Sequence, residues 1–476
     1  MSAEAAQRVS RNALLLLVGT GVRMVLTLAL VVYAASRLGV SGYGSYSLGV
    51  HYFELCLSLT ATAVGIYLTR EAAVRPRRTG ELLVYALAIV TALAGVFALV
   101  LFAAGVLLNY APQTRVALAI GSTALWPAAA ASVFEATFVA KEKAGYVTLG
   151  TAVESALRML LSIAALALGG GVRELFLVLV ASRSLLALYY LGRLTSLGGL
   201  RWRFRWTGFA HYLRHWRVFA GENWLATLHA SLDVIVLSII HGESLVALYD
   251  AAYKVVRLGS VVARSYTSAV FPLMSRLASE SRDALLRLSG DTLRVMLAIA
   301  APVGVTATLL SDRIIHLLYP PEFAGAAPVL CVLVWVLALE CINPFLSHTL
   351  FAQGSQRRSL QVAAVSILLN LLVTPVLAWR YGATGAAAGT LLAAVVAACC
   401  YAAFSLPKQY LVRLSENLLK VTGAGAILVL AMYVALPEAW LTALVLGACA
   451  YASALVLLRI VTPQDLRLLR GAGGAA

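Results

Sequence analysis

Charge is what this sequence has least of. Asp, Glu, Lys and Arg together make up 12% of its 476 residues, about half the share in a soluble domain. A water-facing surface cannot be covered at that density, and so much apolar surface does not stay unfolded. A soluble enzyme and a disordered chain are both excluded. The six cysteines, Cys56, Cys331, Cys341, Cys399, Cys400 and Cys449, all fall inside apolar runs with no metal-ligand spacing. They read as small buried hydrophobes, which excludes a secreted disulfide scaffold and gives no metal site. Also missing are a P-loop, a glycine-rich dinucleotide fingerprint and a nucleophile elbow. The chain therefore reads as a non-enzyme with no cofactor, and an ATP-driven mechanism would need another subunit.

What is present is apolar length. Hydrophobic residues make up 61% of the chain and the mean hydropathy is +0.87. Runs of about 20 apolar residues recur along it, each enough to cross ~30 Å of hydrocarbon as a helix. An outer-membrane barrel would show alternating segments of about 10 residues instead. Fourteen spans are predicted, at 13–36, 44–68, 81–108, 115–140, 146–168, 172–194, 218–241, 244–275, 290–312, 326–352, 359–380, 383–405, 418–436 and 438–459. The first is too long for a signal-peptide core and carries Arg23 at its middle, so it reads as a retained helix.

The excess of base, 37 Lys+Arg against 21 Asp+Glu, sits mostly in the connecting loops. Such an excess in a soluble protein would suggest nucleic acid; here it reads as topology, with no nucleic-acid partner. With the N-terminus inside, the inner segments hold 25 Lys and Arg and the outer ones 5. That bias places both termini in the cytoplasm and the chain in the cytoplasmic (inner) membrane. The outer loops are short, the longest at about 312–325, which leaves no room for a periplasmic catalytic domain.

An internal repeat is visible. At a shift of 203, Gly39 aligns with Gly242 and Tyr46 with Tyr249. At a shift of 212, Phe138-Val139-Ala140 aligns with Leu350-Phe351-Ala352 and Arg158 with Asn370. Two similar offsets in order predict two pseudo-symmetric six-helix lobes, 1–200 and 218–405, with two further helices and a tail over 406–476. Between the lobes, 201–217 interleaves Arg201, Arg203, Arg205, Arg214 and Arg217 with Trp202, Phe204, Trp206, Phe209, Tyr212 and Trp216. It reads as an amphipathic linker on the inner membrane face, with rings at headgroup depth and arginines on anionic lipid.

Charges inside spans are the candidate functional residues, because each costs about 2.5–3.5 kcal/mol at a helix centre. Glu154 and Arg158 are one turn apart and predict a local pair. Asp233 and Lys254 lie at similar depth on the two arms of a hairpin and predict another. Arg23, Arg183 and Arg264 have no evident local partner. Their guanidinium forks suit a polyanion at mid-membrane, and Arg158, Lys254 and Arg257 extend that set. His51 with Glu54, and His229 with Asp233, have the spacing of proton-coupling pairs; Glu135 joins the acidic candidates.

The stretch Arg37-Leu38-Gly39-Val40-Ser41-Gly42-Tyr43-Gly44-Ser45-Tyr46-Ser47-Leu48, followed by Arg70-Glu71-Ala72-Ala73, resembles the polysaccharide-transporter family. These are Wzx-like flippases of the multidrug/oligosaccharidyl-lipid/polysaccharide (MOP) superfamily. Asp233 before Gly242, Tyr249 with Ala252-Tyr253-Lys254, Phe271-Pro272 and Gly382-Ala383-Thr384-Gly385-Ala386-Ala387 agree with it in the second half. The resemblance implies a two-lobed, fourteen-helix V that alternates between inward-open and outward-open states. It implies a lipid-linked oligosaccharide on an isoprenoid diphosphate as substrate, transport driven by an ion gradient, and work beside a polysaccharide polymerase and glycosyltransferases. Related lipid II flippases carry cavity arginines on the first and eighth helices, where Arg23 and Arg264 lie here. Three other readings stay open. One is a cation-coupled multidrug exporter of the same superfamily, favoured by Glu54, Glu135 and His51. The others are a membrane-embedded glycosyltransferase or polymerase, and a non-transporting scaffold.

Overall fold

The computed structural model describes residues 3–196, 203–229, 231–435, 440–458 and 460. The described residues contain no strand, and the chain is an all-α, multi-pass membrane protein. Ten of the described helices are long and apolar enough to cross a membrane.

Two of these exceed a single crossing. Helix α1 (Ala3–Val74) has 72 residues and α12 (Gln356–Ser405) has 50, roughly 108 and 75 Å at 1.5 Å per residue. Each is broken once, by a glycine: Gly39 at φ 65°, ψ −178°, and Gly382 at φ 60°, ψ −137°. Only glycine enters that region without strain. In α12 the break is a hairpin apex. Ser366 donates to the carbonyl of Ala393, and Tyr401 to that of Ser359. A Cβ on Gly385 would strike the carbonyl of Leu377, and one on Gly389 the hydroxyl of Thr374. These pairings close symmetrically on Gly382, as antiparallel arms must. Helices α1 and α12 thus hold the first, second, eleventh and twelfth predicted spans.

The chain forms two compact units. The first is Met1–Asp250 with Tyr319–Glu322, and the second is Ala251–Leu318 with Phe323–Ala476. Within the first, α1 packs with α2 (Thr79–Leu107), α3 (Pro112–Ala140), α4 (Ala144–Ala167), α5 (Val172–Ser196), α6 (Trp206–His229) and α7 (Leu232–His241). Its core includes Val64, Leu68, Leu83, Val133, Phe138 and Tyr190. Tyr212 and Trp216 join that core, and α6 already begins at Trp206, so 206–217, which the sequence reads as a linker between lobes, is helix packed within the first unit. Trp206 is 72% exposed and Phe204 50%. Helix α8 (Glu243–Glu280) gives its first two turns to this unit.

The second unit holds the rest of α8, then α9 (Arg282–Leu309), α10 (Ser311–Leu318), α11 (Ala326–Ala352), α12, α13 (Lys408–Ala435) and α14 (Trp440–Leu457). One core gathers Met274, Leu286, Phe345, Leu350 and Tyr401. Another joins Leu310 to Leu428 and Met432 of α13 and Tyr451 of α14. The longest predicted outer loop is itself partly helical, as α10.

The repeat written in the sequence reappears in backbone geometry. Gly242 adopts φ 78°, ψ −170°, nearly the conformation of its counterpart Gly39. At the shift of 212, α3 ends at Ala140 and α11 at Ala352, with α4 starting at Ala144 and α12 at Gln356. Both ends close alike: Lys143 N donates to Phe138 O and Glu142 N to Val139 O, as Ser355 N does to Leu350 O and Gly354 N to Phe351 O. This is a Schellman closure, which needs a left-handed residue at its corner. The second copy uses Gly354, at φ 72°, and the first uses Glu142, at φ 57°.

Candidate functional site

Helices α4 and α5 meet across the turn Gly169-Gly170-Gly171. Glu154, on α4, is 5% exposed. Its Oε1 lies 3.8 Å from Arg158 Nε and 3.9 Å from Arg183 Nε on α5. Ser182 donates to the same oxygen at 3.1 Å, and Ser155 to Oε2 at 3.4 Å. Arg183 therefore shares the carboxylate that sequence spacing gives to Arg158 alone. Counting from the glycine turn would have found it: Glu154 and Arg183 stand at similar depth on the two arms. All three charges lie within about a turn of their helix midpoints.

Two guanidiniums on one carboxylate leave a net charge of +1. Neither Arg158 Nε nor Arg183 Nε, both buried, has a hydrogen-bond partner. A buried donor left unmade costs of order 1–3 kcal/mol. Guanidinium donors of this kind can form charge-assisted hydrogen bonds to an anion. Arg23 lies nearby on α1 and is exposed. With Glu135 of α3 and Thr148 and Thr151 of α4 it lines a recess of about 50 Å³.

A second cluster joins α1 to the start of α8. Asp250, 1% exposed, accepts from Tyr43 OH at 2.5 Å through Oδ2 and faces His51 Nε2 at 2.7 Å through Oδ1. Sequence spacing pairs His51 with Glu54 instead, and Glu54 is exposed. Spacing along the helix gives Asp250 no role. The signal that could have found it is the repeat, since Asp250 follows Tyr249, the counterpart of Tyr46, and so sits on the hairpin equivalent to that of His51. Nearby, Tyr110 bonds both Tyr52 OH and Ser238 Oγ at 2.9 Å. Glu243 accepts from Ala111 N at 2.7 Å and from Thr114 at 3.0 Å, at the start of α3.

The remaining candidates are scattered. Asp233 is buried and accepts from Tyr249 OH and from the N–H of Val234. The side chains of His229 and Arg264 lie outside the described residues. Lys254, half-buried, and Arg257, exposed, belong to the second unit. Among the described residues no group of three His, Cys, Asp or Glu could hold a metal ion.

Residues 9–278 match the model of a family described as "Polysaccharide biosynthesis protein", and residues 185–460 match that of "Lipid II flippase MurJ". A curated relative is the "Probable low-salt glycan biosynthesis flippase Agl15" of Haloferax volcanii, 23% identical over 166 residues. That match spans 35% of each chain, about a third of the relative's own length. Among solved structures, "Lipid II flippase MurJ, inward closed conformation" superposes with a TM-score of 0.78 at 15% identity, covering 93% of this chain and 98% of the other. An inward-facing MATE-family multidrug resistance transporter of the MOP superfamily follows at 0.66 and 16%, covering 83% and 95%. At such identities these two likenesses speak for the fold.

Proposed function

Because the chain belongs to the polysaccharide biosynthesis protein family, within the MOP superfamily, we propose that it is a flippase that moves a lipid-linked oligosaccharide between membrane leaflets. The observation that carries this reading is the pair Arg158 and Arg183, held on one carboxylate near mid-helix with both Nε–H groups unused. A diphosphate–sugar headgroup cannot enter hydrocarbon with its charges unhydrated. Two guanidiniums supply replacement donors in a geometry phosphate accepts, and a diphosphate offers more acceptor oxygens than Glu154 does. In the empty protein Glu154 serves as the counter-ion that keeps the arginines together. When substrate arrives the guanidiniums turn to it, while the polyprenyl tail stays in lipid. Arg23, in the same unit, is assigned to the same anion, and Arg264 stays a substrate-binding candidate because the family resemblance implies it. Lys254 and Arg257 are secondary candidates.

Uphill transport draws on an ion gradient, and each charge carried across 100 mV contributes about 2.3 kcal/mol. We assign proton coupling to His51 with Asp250, where a titratable ring meets a buried carboxylate. Glu54, Glu135 and Asp233 are the other acidic candidates. The site of action is the cytoplasmic membrane, with both termini inside, beside the glycosyltransferases and polymerase that make and use the glycan.

The test is export of lipid-linked glycan in a strain lacking its own flippase. Arg183→Ala and Arg158→Ala should each cut export roughly tenfold or more, the loss of one charge-assisted bond, at normal membrane levels. Lysine at either position should retain part of the activity. Full export with alanine at Arg23, Arg158 and Arg183 together would overturn the assignment. Efflux of organic cations by the same variant would transfer the chain to the multidrug-exporter reading.

A further inference from the structure

We propose that the second unit carries a built site for the headgroup of an anionic phospholipid, between the first turns of α9 and α13. A cavity of about 430 Å³ lies there, within the range of small-molecule sites. Four cations line it, Arg287 and Arg294 from α9 and Arg413 and Lys420 from α13, against two acids, Asp291 and Glu416. Asp291 is spent on Arg294 at 3.5 Å and is itself 66% exposed. Arg413 lies over the ring of Tyr410, 5.8 Å from its centroid. Gly290 lets that tyrosine close on α9, since a Cβ there would stand 3.3 Å from the ring. The cavity thus has an aromatic wall, a net positive lining and donors from two helices.

Its surroundings choose the ligand. Further along the same two helices large apolar side chains face outward: Ile299 is 62% exposed, Val303 47% and Leu430 65%. A soluble anion would use the cations alone. A phospholipid would use both surfaces, with phosphate in the cavity and acyl chains along the outward-facing leucine, valine and isoleucine. On the orientation given by the loop charges, the ends of α9 and α13 that form the cavity lie at the cytoplasmic leaflet, where anionic lipid is found and where basic pockets between helices bind its headgroups. The inference rests on that orientation and not on the flippase assignment, because it concerns a resident lipid and not the cargo.

Native mass spectrometry of the purified full chain tests it, with phosphatidylglycerol and phosphatidylcholine as competing probes. The wild type should retain phosphatidylglycerol in preference. The double variant Arg413→Gln/Lys420→Gln should lose about 30-fold in its affinity, and Arg287→Gln alone about 5-fold. Arg357→Gln/Arg358→Gln, at the start of α12 and outside the cavity lining, should lose nothing. The single variant at exposed Arg287 keeps the test decisive if the double variant fails to fold. Equal retention of both lipids would overturn the proposal, as would an equal loss in the Arg357/Arg358 variant, which would mean diffuse attraction. Farnesyl diphosphate is the second arm. If it displaces phosphatidylglycerol and its own binding falls in the same variants, the site belongs to the substrate's diphosphate and not to a resident phospholipid.

Discussion

Glu154→Gln isolates the role of the shared carboxylate. Glutamine keeps the size and the acceptor oxygen for Ser182 but removes the charge. At 3.8 and 3.9 Å, each ion pair is worth about 4 kcal/mol of Coulomb attraction at an effective dielectric of ~20. Those two distances also put the two Nε atoms within about 7.7 Å of each other. Their mutual repulsion is then about 2 kcal/mol or more on the same scale. Desolvation of the carboxylate offsets much of this, so the measured cost of breaking a buried pair, about 3–5 kcal/mol, is the better guide. A protein stable by about 5–15 kcal/mol should melt measurably earlier when it loses that much.

The same variant should respond to anions in a way the wild type does not. With Glu154 in place, a diphosphate must compete with the carboxylate for both guanidiniums. With glutamine in its place, the diphosphate meets two uncompensated cations. Farnesyl diphosphate at 100 times its Kd would restore about 2.7 kcal/mol, most of the deficit, and should raise the melting temperature of Glu154→Gln more than that of the wild type. Thermal melts in detergent, with chloride held constant, read this directly. An unchanged melting temperature in Glu154→Gln, with no preferential rescue by diphosphate, would refute both the energetic argument and the anion site built on it.

Three further outcomes follow from individual residues. Glu142→Gly should stabilise the protein by about 0.5–1 kcal/mol, because it relieves an exposed non-glycine residue held at φ 57° at the corner where the repeat uses Gly354; denaturant melts would show it. Asp250→Asn should keep an acceptor for Tyr43 but deprive His51 of its carboxylate, cutting transport roughly tenfold or more and flattening its pH profile; a wild-type profile would remove the pair from coupling. Ser244→Cys, exposed beside Glu243, should react with an impermeant thiol reagent from outside on a cysteine-free background, whereas Arg203→Cys should not; the reverse pattern would invert the topology.

Much of the fold is legible because its determinants are local. The spans follow from apolar length, and the breaks inside α1 and α12 fall at glycines that the sequence already sets apart. Gly39 and Gly242 could be matched across 203 residues because one backbone conformation, open only to glycine, is needed at both positions. The matched ends of α3 and α11 have the same origin, for a Schellman closure is fixed by the few residues it contains. The compact units were less legible. Their boundary at Asp250, inside α8, depends on which partners that helix's first turns find, and nothing in its own sequence states this.

The charge clusters were half-legible for a related reason. Spacing along one helix finds Glu154 with Arg158, since a turn brings them together whatever surrounds them. It cannot find Arg183, 29 positions from Glu154, or His51 with Asp250, 199 positions apart. Those pairs exist only once helices pack, and packing is decided by small residues and tyrosines distributed over several elements. Tyr43, Tyr249 and Tyr110 show how. Each is mostly ring, readable as core, yet its hydroxyl lands on Asp250, Asp233 or Ser238. A buried carboxylate needs donors within reach or it does not stay charged. So every intramembrane acid implies nearby donors that a search by ion-pair spacing overlooks. Looking for tyrosines and serines at matching depth on the opposite hairpin arm, and not only for lysines and arginines, would have brought out Asp250 and the three-way sharing around Glu154 before any helix was placed.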